Sequence, residues 1–469
     1  MKPRRILFVA MHHSIHVARW IDLLADAGWD LHLFPIGPGP LNPNLRGATV
    51  HWPLSAISPP PVVQSAPPPP PPVLPVGART MRAAKLALTD PGWALRRAIR
   101  GPSATIEQPP RLRTASAPKD AVRISTFEPS VEEQGGAEAV AAGAFRLGES
   151  DVDAPAAFGP KVLNSVIRRV EPDLIHSMEF QHSSYLTLAA KERYGLDFPK
   201  WLASNWGSDI FYYRRFPEHE SQIRRTLRAV DLYSCECERD WALGREYGFA
   251  GPRLPMLTNT GGFDLDQVAK LRSPMPPSKR KIIMIKGYDH FAGRAMTSLR
   301  VLERFAAELK GYEIVLYSVS AEPRRRAVEL REQGLLNIRI IEWGPHEEIL
   351  GNFGRARMYM GISISDAIST SVLESMAMGA FPIQTDTSCC NEWFTDGEGG
   401  FIVSPDNFEQ ICDRFHRALT DDALVDRAAA INYPVIKARL DVRSLKYREQ
   451  VFYDEAFAHL GLPLSRRSA

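Results

Sequence analysis

The chain has 469 residues, 44% apolar and 24% charged, the balance of a globular protein with room for two or three domains. Lys and Arg number 57 against 54 Asp and Glu, a net charge of +3, which excludes the basic field of a nucleic-acid binder as well as the compositions of collagen, coiled coil and mucin. Five cysteines (Cys235, Cys237, Cys389, Cys390, Cys412) form no CxxC pair, which argues against a disulfide framework or zinc cage and for a reducing, cytoplasmic setting.

The first apolar run, 6–11, is followed at once by His12-His13-Ser14 and reads as a β-strand rather than a signal peptide. A helix with Val17, Ile21 and Leu24 on one face stops at Gly28, and a second strand is expected over 30–34. The stretch 55–160 carries Pro59-Pro60-Pro61, Pro67 through Pro72 and a long Ala, Gly, Ser and Glu-rich passage. Consecutive prolines favour polyproline II and cannot join a central sheet, so this reads as a low-complexity insertion, disordered or loosely packed. Within it, 93–100 reads as a basic helix, either on a membrane surface or a solvated linker. Strands follow at 174–177, 201–204, 231–234 and 255–257. The Pro-rich polar segment 270–279 has the composition of a domain linker.

Beyond it, strands at 281–285, 313–317, 337–342, 357–364, 381–385 and 400–403 alternate with helices such as 297–309 and 323–333. Such alternation predicts α/β architecture with parallel sheets. The expected organisation is two Rossmann-like doubly wound domains facing a cleft: 1–54 with 161–269, and 280–435. The last part, 436–469, has a helix near 445–460 that either packs back across the first domain or ends the second. No run reaches the roughly 18 apolar residues that cross a bilayer. Ligands of such sheets bind beyond the carboxyl ends of the strands, which places the chemistry in the cleft.

The most informative stretch is 363–382. A strand ends near Ser365, a polar loop follows, and a helix starts at 369–371, so free backbone amides point where the strand finishes and make an anion site. Asp366 and Glu374 stand as acceptors on either side of that helix end, which suits a nucleotide sugar: acceptors for hydroxyls, donors between them for pyrophosphate. In the competing reading Ser371-Val-Leu-Glu374 is a capping box and Asp366 a turn residue.

With its continuation Leu373-Glu374-Ser375-Met376-Ala377-Met378-Gly379-Ala380-Phe381-Pro382, the segment resembles the Asp/Glu-x7-Glu signature of glycosyltransferase family four, the large retaining family of the GT-B fold. That family usually has Glu where this chain has Asp366. The resemblance implies that Glu374 binds ribose, Asp366 the donor sugar hydroxyls, and the amides around Ile368, Ser369 and Thr370 the phosphates and sugar. Asn391-Glu392-Trp393 and Asp396-Gly-Glu-Gly-Gly400 are similar to a later stretch of the family, with Gly399 where Asn is usual. Lys286 and Arg294 are candidate cations for the leaving diphosphate, in exchanged order relative to the family.

On the acceptor side, His16 and Arg19 look like the family's opening after the first strand. His176, Glu179 and His182 follow a strand where the family often shows His-x-His near the reacting centre, with Met178 at the second position. Ser208 and Asp209 resemble its Gly-Ser-Asp loop, or are a glycine turn with Asp209 capping a helix. The two DxD matches, Asp151-Val-Asp153 and Asp264-Leu-Asp266, are read as chance, and the histidines His12, His13 and His16 lack partners at metal-ligand spacing.

The implied reaction is metal-independent, cofactor-free, retaining transfer from a nucleotide diphosphate sugar to an acceptor hydroxyl. The departing phosphate oxygen takes the acceptor proton while Asp366, Lys286, Arg294, His182 and Glu179 surround the centre. The expected partners are the nucleotide sugar and a carbohydrate or lipid-linked acceptor for surface polysaccharide or glycolipid, with no nucleic acid. Tyr212-Tyr213-Arg214-Arg215 and the inserted basic helix either suit peripheral contact with the inner membrane face or are solvated surface. Rival readings are a sugar-nucleotide epimerase on the same fold and a non-catalytic nucleotide-sugar binder.

Overall fold

The computed structural model describes residues 3–36, 40–53, 121–127, 159–342 and 345–462. Most of the 55–160 stretch, including 93–100 and Asp151 to Asp153, lies outside them. The first sheet comprises β1 (Arg5–Ala10), β2 (Asp30–Pro35), β3 (Ala48–Pro53), β4 (Arg123–Phe127), β5 (Leu174–Met178), β6 (Lys200–Ser204) and β7 (Leu232–Ser234). Their order is β4-β3-β2-β1-β5-β6-β7, every pair parallel. The second half begins with β8 (Ile282–Lys286) and a two-rung hairpin, β9 (Asp289–His290) and β10 (Gly293–Arg294). With β11 (Glu313–Tyr317), β12 (Ile338–Ile340), β13 (Ala356–Gly361), β14 (Phe381–Thr385) and β15 (Phe401–Val403) it builds a six-stranded parallel sheet ordered β12-β11-β8-β13-β14-β15.

The central strands are continuously apolar because helices cover both faces. Leu7 and Val9 of β1 point into a core with Ile175, Ala203 and Val166, while Ile6 and Phe8 point into the opposite one with Leu174 and Leu202. The second sheet repeats this, with Ile283, Ile285, Met358 and Met360 on one face and Met284, Val315 and Tyr359 on the other. The two-sheet α/β expectation therefore holds, with differences of detail. Residues 255–257 are not a strand; Leu254 and Leu257 are instead buried beneath the first sheet. Two strands of the first sheet escaped the sequence reading. β3 ends in a proline, and β4 is a five-residue edge strand inside the stretch read as an insertion, where partial exposure (Ile124 is 38% exposed) leaves no apolar run to notice.

The chain also crosses between halves earlier than 270–279. Phe263 and Val268, ahead of that segment, already pack in the second half's core. The return crossing lies beside it: the Phe263 amide donates to the Leu440 carbonyl at 2.7 Å, and the Val442 amide to the Phe263 carbonyl at 3.0 Å.

After that return, helix Val442–His459 lays Leu445, Phe452, Tyr453, Ala456 and Phe457 on the first sheet's core. Trp20 Nε1 donates to Tyr453 Oη at 2.9 Å, and the same oxygen lies 2.6 Å from His176 Nδ1, whose Nε2 is 2.6 Å from Ser204 Oγ. His176 is thus a buried strut for the final helix and not a cleft residue, a correction to its expected place. Burial pushes its pKa down to about 3. The unfolded chain takes up a proton near pH 6.5 that the folded chain refuses until about pH 3. Stability contributed by neutral His176 is therefore intact above pH 6.5 and lost as pH falls through that window. Urea midpoints measured from pH 7 to pH 4 should fall less steeply in His176→Asn than in the native protein; parallel slopes would contradict the assignment.

Candidate active site

Both sheets reverse strand order beside their central strand, at β1/β5 and at β8/β13, and the loops leaving those strands meet. From the second half come Lys286, the last residue of β8, and the loop after β13 that leads into helix Thr370–Met378. That helix is buried along almost its whole length and closes on Gly379 at φ 82°, a left-handed cap that disfavours any side chain. Its N-cap is Ser369, whose side chain makes no capping bond, so first-turn amides keep donors for a ligand. The capping-box reading fails, because Glu374 sits too far into the helix and its carboxylate is engaged elsewhere.

That engagement crosses the cleft. Glu374, 4% exposed, holds His346 Nε2 at 2.6 Å through Oε1; His346 Nδ1 lies 3.3 Å from an Arg19 guanidinium nitrogen, and Arg19 donates to the Thr260 carbonyl at 3.1 Å. His346 opens helix His346–Arg355. The sequence reading missed it because a lone histidine after a proline has no periodic signature.

Lys286 is the electrostatic hub. Burial alone would lower its pKa, but Asp366, Tyr359, Tyr288 and Glu374 together hold it above the ordinary lysine value. Burial pushes the half-buried Asp366 carboxyl up, against the pull of Lys286 and Arg239. Facing them from the first half, His16 is held neutral at about 4 by burial, then by Arg19, Lys286 and His346. Its Nδ1 is buried without a hydrogen-bond partner, and its ring meets Trp206 edge-on at 5.7 Å. Lys286, Asp366, Glu374, His16 and Arg19 thus come together as a mixed-charge notch near the start of helix Thr370–Met378.

Ser208 joins them at the seam, where it accepts a hydrogen bond from Ser365 Oγ at 2.8 Å. Next to it, Gly207 has φ 96°, and a Cβ there would lie 2.3 Å from the Ala367 amide nitrogen. Gly207→Ala should therefore cost about 2–4 kcal/mol, strain plus clash, whereas Gly28→Ala at φ 73°, with nothing within 4 Å, should cost only about 1 kcal/mol. Denaturant unfolding of the two variants checks this; equal losses would mean that the seam does not close as described.

Four expected site residues are placed elsewhere. Arg294 pairs with exposed Asp406 at 3.2 Å. The buried Glu179 carboxylate is spent on its own turn, accepting from the Gln181, His182 and Ser183 amides at 3.1, 2.7 and 2.8 Å, with the His182 ring at 3.3 Å. Burial would raise its pKa, but His182 and those amides bring it below the usual value, so Glu179 is an anionic cap and His182 its companion. Asp209 is buried with both oxygens on the Trp206 amide at 2.9 and 3.0 Å, and burial raises its pKa well above the ordinary range. Tyr213 is buried, and the partly buried Tyr212 stacks on Phe291 of the second half at 4.6 Å.

A second unforeseen residue is Arg239. It donates to Asp240 Oδ1 at 2.8 Å within its own half, and across the seam to the Asp366 and Thr387 carbonyls at 2.7 and 2.8 Å, its guanidinium 3.9 Å from the Phe211 ring centre. It fixes the loop that carries Asp366.

Two Rossmann-like domains meeting at their carboxyl ends are the GT-B architecture. Sucrose-phosphate synthase from Thermosynechococcus elongatus shares it with TM-score 0.61 and 14% identity over 97% of this chain and 99% of that one. So do HepE from Anabaena in complex with UDP-glucose (0.55, 12%, 96% and 99%) and a glycosyltransferase from Rickettsia africae ESF-5 (0.54, 12%, 97% and 99%); at such identities the likeness speaks to fold alone. Residues 285–421 match the family described as glycosyl transferases group 1, a span that contains Lys286, Arg294, His346, Asp366 and Glu374. No curated protein matches the chain. Among the described residues no helix is long and apolar enough to cross a membrane.

Proposed function

We propose that the protein transfers a sugar from a nucleotide diphosphate sugar to an acceptor hydroxyl with retention of configuration and without a divalent metal. The observation that carries this reading is the convergence of Lys286, Asp366 and Glu374 at the start of helix Thr370–Met378, opposite His16 and Arg19. A diphosphate seated on the first-turn amides would lie beside Lys286, whose positive charge offsets what accumulates on the leaving oxygen. Glu374 would accept from ribose hydroxyls and Asp366 from the donor sugar. His16, uncharged, can take or give a hydrogen bond to the acceptor without repelling Lys286. The group 1 match and the sugar nucleotide in HepE support this reading.

Arg294, Glu179, His182, His176 and Asp209 have no part in the notch as described. A carbohydrate or lipid-linked acceptor fits the hydroxyl-directed chemistry. The test is incubation with a panel of nucleotide sugars, UDP-sugars first, and carbohydrate acceptors, with and without chelator. Acceptor-dependent release of nucleoside diphosphate and an anomeric proton signal matching the donor's configuration are expected. Acceptor-independent conversion to an isomer, or binding with no turnover, would replace transfer by epimerisation or by a binding role.

A further inference from the structure

At the seam, Cys237, which precedes helix Glu238–Glu246 of the first half, meets Cys389, which precedes the turn Cys390–Glu392 of the second. Both side chains are buried and their sulfurs lie 2.9 Å apart. Glu392 brings a carboxylate oxygen into the same cluster, all three ligand atoms lying within 4.8 Å of one another. Asp240, in the helix that follows Cys237, is fully buried. Its Oδ1 is held by Arg239, but its Oδ2 has no hydrogen-bond partner, and Cys237 is within reach of that carboxylate.

Nearby positive charge is committed elsewhere. The other nitrogens of Arg239 serve the Asp366 and Thr387 carbonyls, Arg253 pairs with Glu238, and Arg439 donates to the Glu392 carbonyl rather than its carboxylate. Two thiols and the half-exposed Glu392 carboxylate, whose Oε1 accepts from the Glu238 amide at 2.9 Å, converge on one point, and the buried Asp240 Oδ2 beside them lacks a donor.

We propose that Cys237, Cys389 and Glu392 form a site for a thiophilic divalent cation of the zinc class, with Asp240, outside that cluster, drawn in as fourth ligand, and that the bound cation ties the two halves together. Sulfur and carboxylate oxygen in tetrahedral array are the ligands such a cation takes. Bonds of about 2.3 Å would set the sulfurs about 3.8 Å apart, so binding spreads them by roughly 0.9 Å. Each thiol gives its proton to solvent as its sulfur bonds the cation, and no electron is exchanged. A disulfide between the same residues would need an oxidant, would draw the sulfurs in to about 2.05 Å, and would leave the Asp240 oxygen without a partner. The cation is structural, separate from the notch at Lys286, and the assignment does not depend on the transferase reading.

The test uses the full chain, reduced and stripped with chelator, then titrated with Co2+ and displaced with Zn2+. One equivalent should bind with a near-ultraviolet thiolate-to-cobalt band, and Zn2+ should shield Cys237 and Cys389 from alkylation, read by peptide mass. Cys237→Ser and Cys389→Ser should lose the band. Cys412→Ser, in a distant core, should keep it, and Glu392→Gln, at a half-exposed position that spares the fold, should bind at least about 10-fold more weakly. The proposal is overturned if the native chain takes up neither ion, if the two cysteine variants bind as it does, or if Cys237 and Cys389 emerge from the untreated protein as a disulfide.

Discussion

Lys286→Met should lower kcat by about 100-fold to 1,000-fold, with a much smaller change in KM for the sugar nucleotide. The side chain sits at the end of β8 with Asp366 and Glu374 acting on it. Its charge matters most when the glycosyl-phosphate bond breaks, because the diphosphate gains negative charge at that step; a preplaced cation in a partly desolvated notch stabilises that state more than the ground state. Methionine keeps the length and the apolar stem, so the fold should survive, and an unchanged melting profile would show that it had. Steady-state kinetics on a purified acceptor decides the matter. A rise in KM at constant kcat would make Lys286 a binding residue only.

Glu374→Gln is the second large effect. The carboxylate is nearly buried, bonds His346 at 2.6 Å, and through it reaches Arg19 in the other half. Amide for carboxylate removes a charge-assisted acceptor, worth about 1.5–3 kcal/mol, so nucleoside diphosphate affinity should fall by roughly 10-fold to 150-fold in calorimetry. His346→Gln provides the contrast. It breaks the same bridge while leaving the Glu374 acceptor intact, so affinity should change much less if ribose is the partner of Glu374. Equal losses in both variants would mean that the bridge, and not a ribose contact, is what Glu374 provides.

Much of the second half was legible because its signals are local. Buried parallel strands such as 313–317 and 381–385 are short unbroken apolar runs, and the helix from Thr370 to Gly379 announces its own end with a glycine. Asp366 and Glu374 could be found the same way, since their spacing along one loop and helix is what brings them to a common point. Residues whose role depends on the opposite half left no such trace. Arg239 lies in an ordinary polar helix, and only the folded chain sets it against the Asp366 carbonyl. His346 and Cys389 are equally anonymous until the halves meet. Conversely, His176 and Asp209 carried polar side chains at strand and loop ends, where chemistry is expected, yet burial turned both into internal braces. The edge strand Arg123–Phe127 was hidden because edges need little apolar surface and its flanks are low-complexity sequence.

The double crossing near Phe263 and Leu440 has a mechanical consequence. A single tether would let the lobes swivel in any direction. Two neighbouring backbone strands, zipped to each other and continued by a helix clamped on the far lobe through Tyr453, behave like a door hung on two pins. Swinging is left free, while sideways twist would tear main-chain hydrogen bonds. Any opening of the lobes would part Ser365 from Ser208 and His346 from Arg19, and their realignment on closing would be set by the pins rather than by whatever the notch holds.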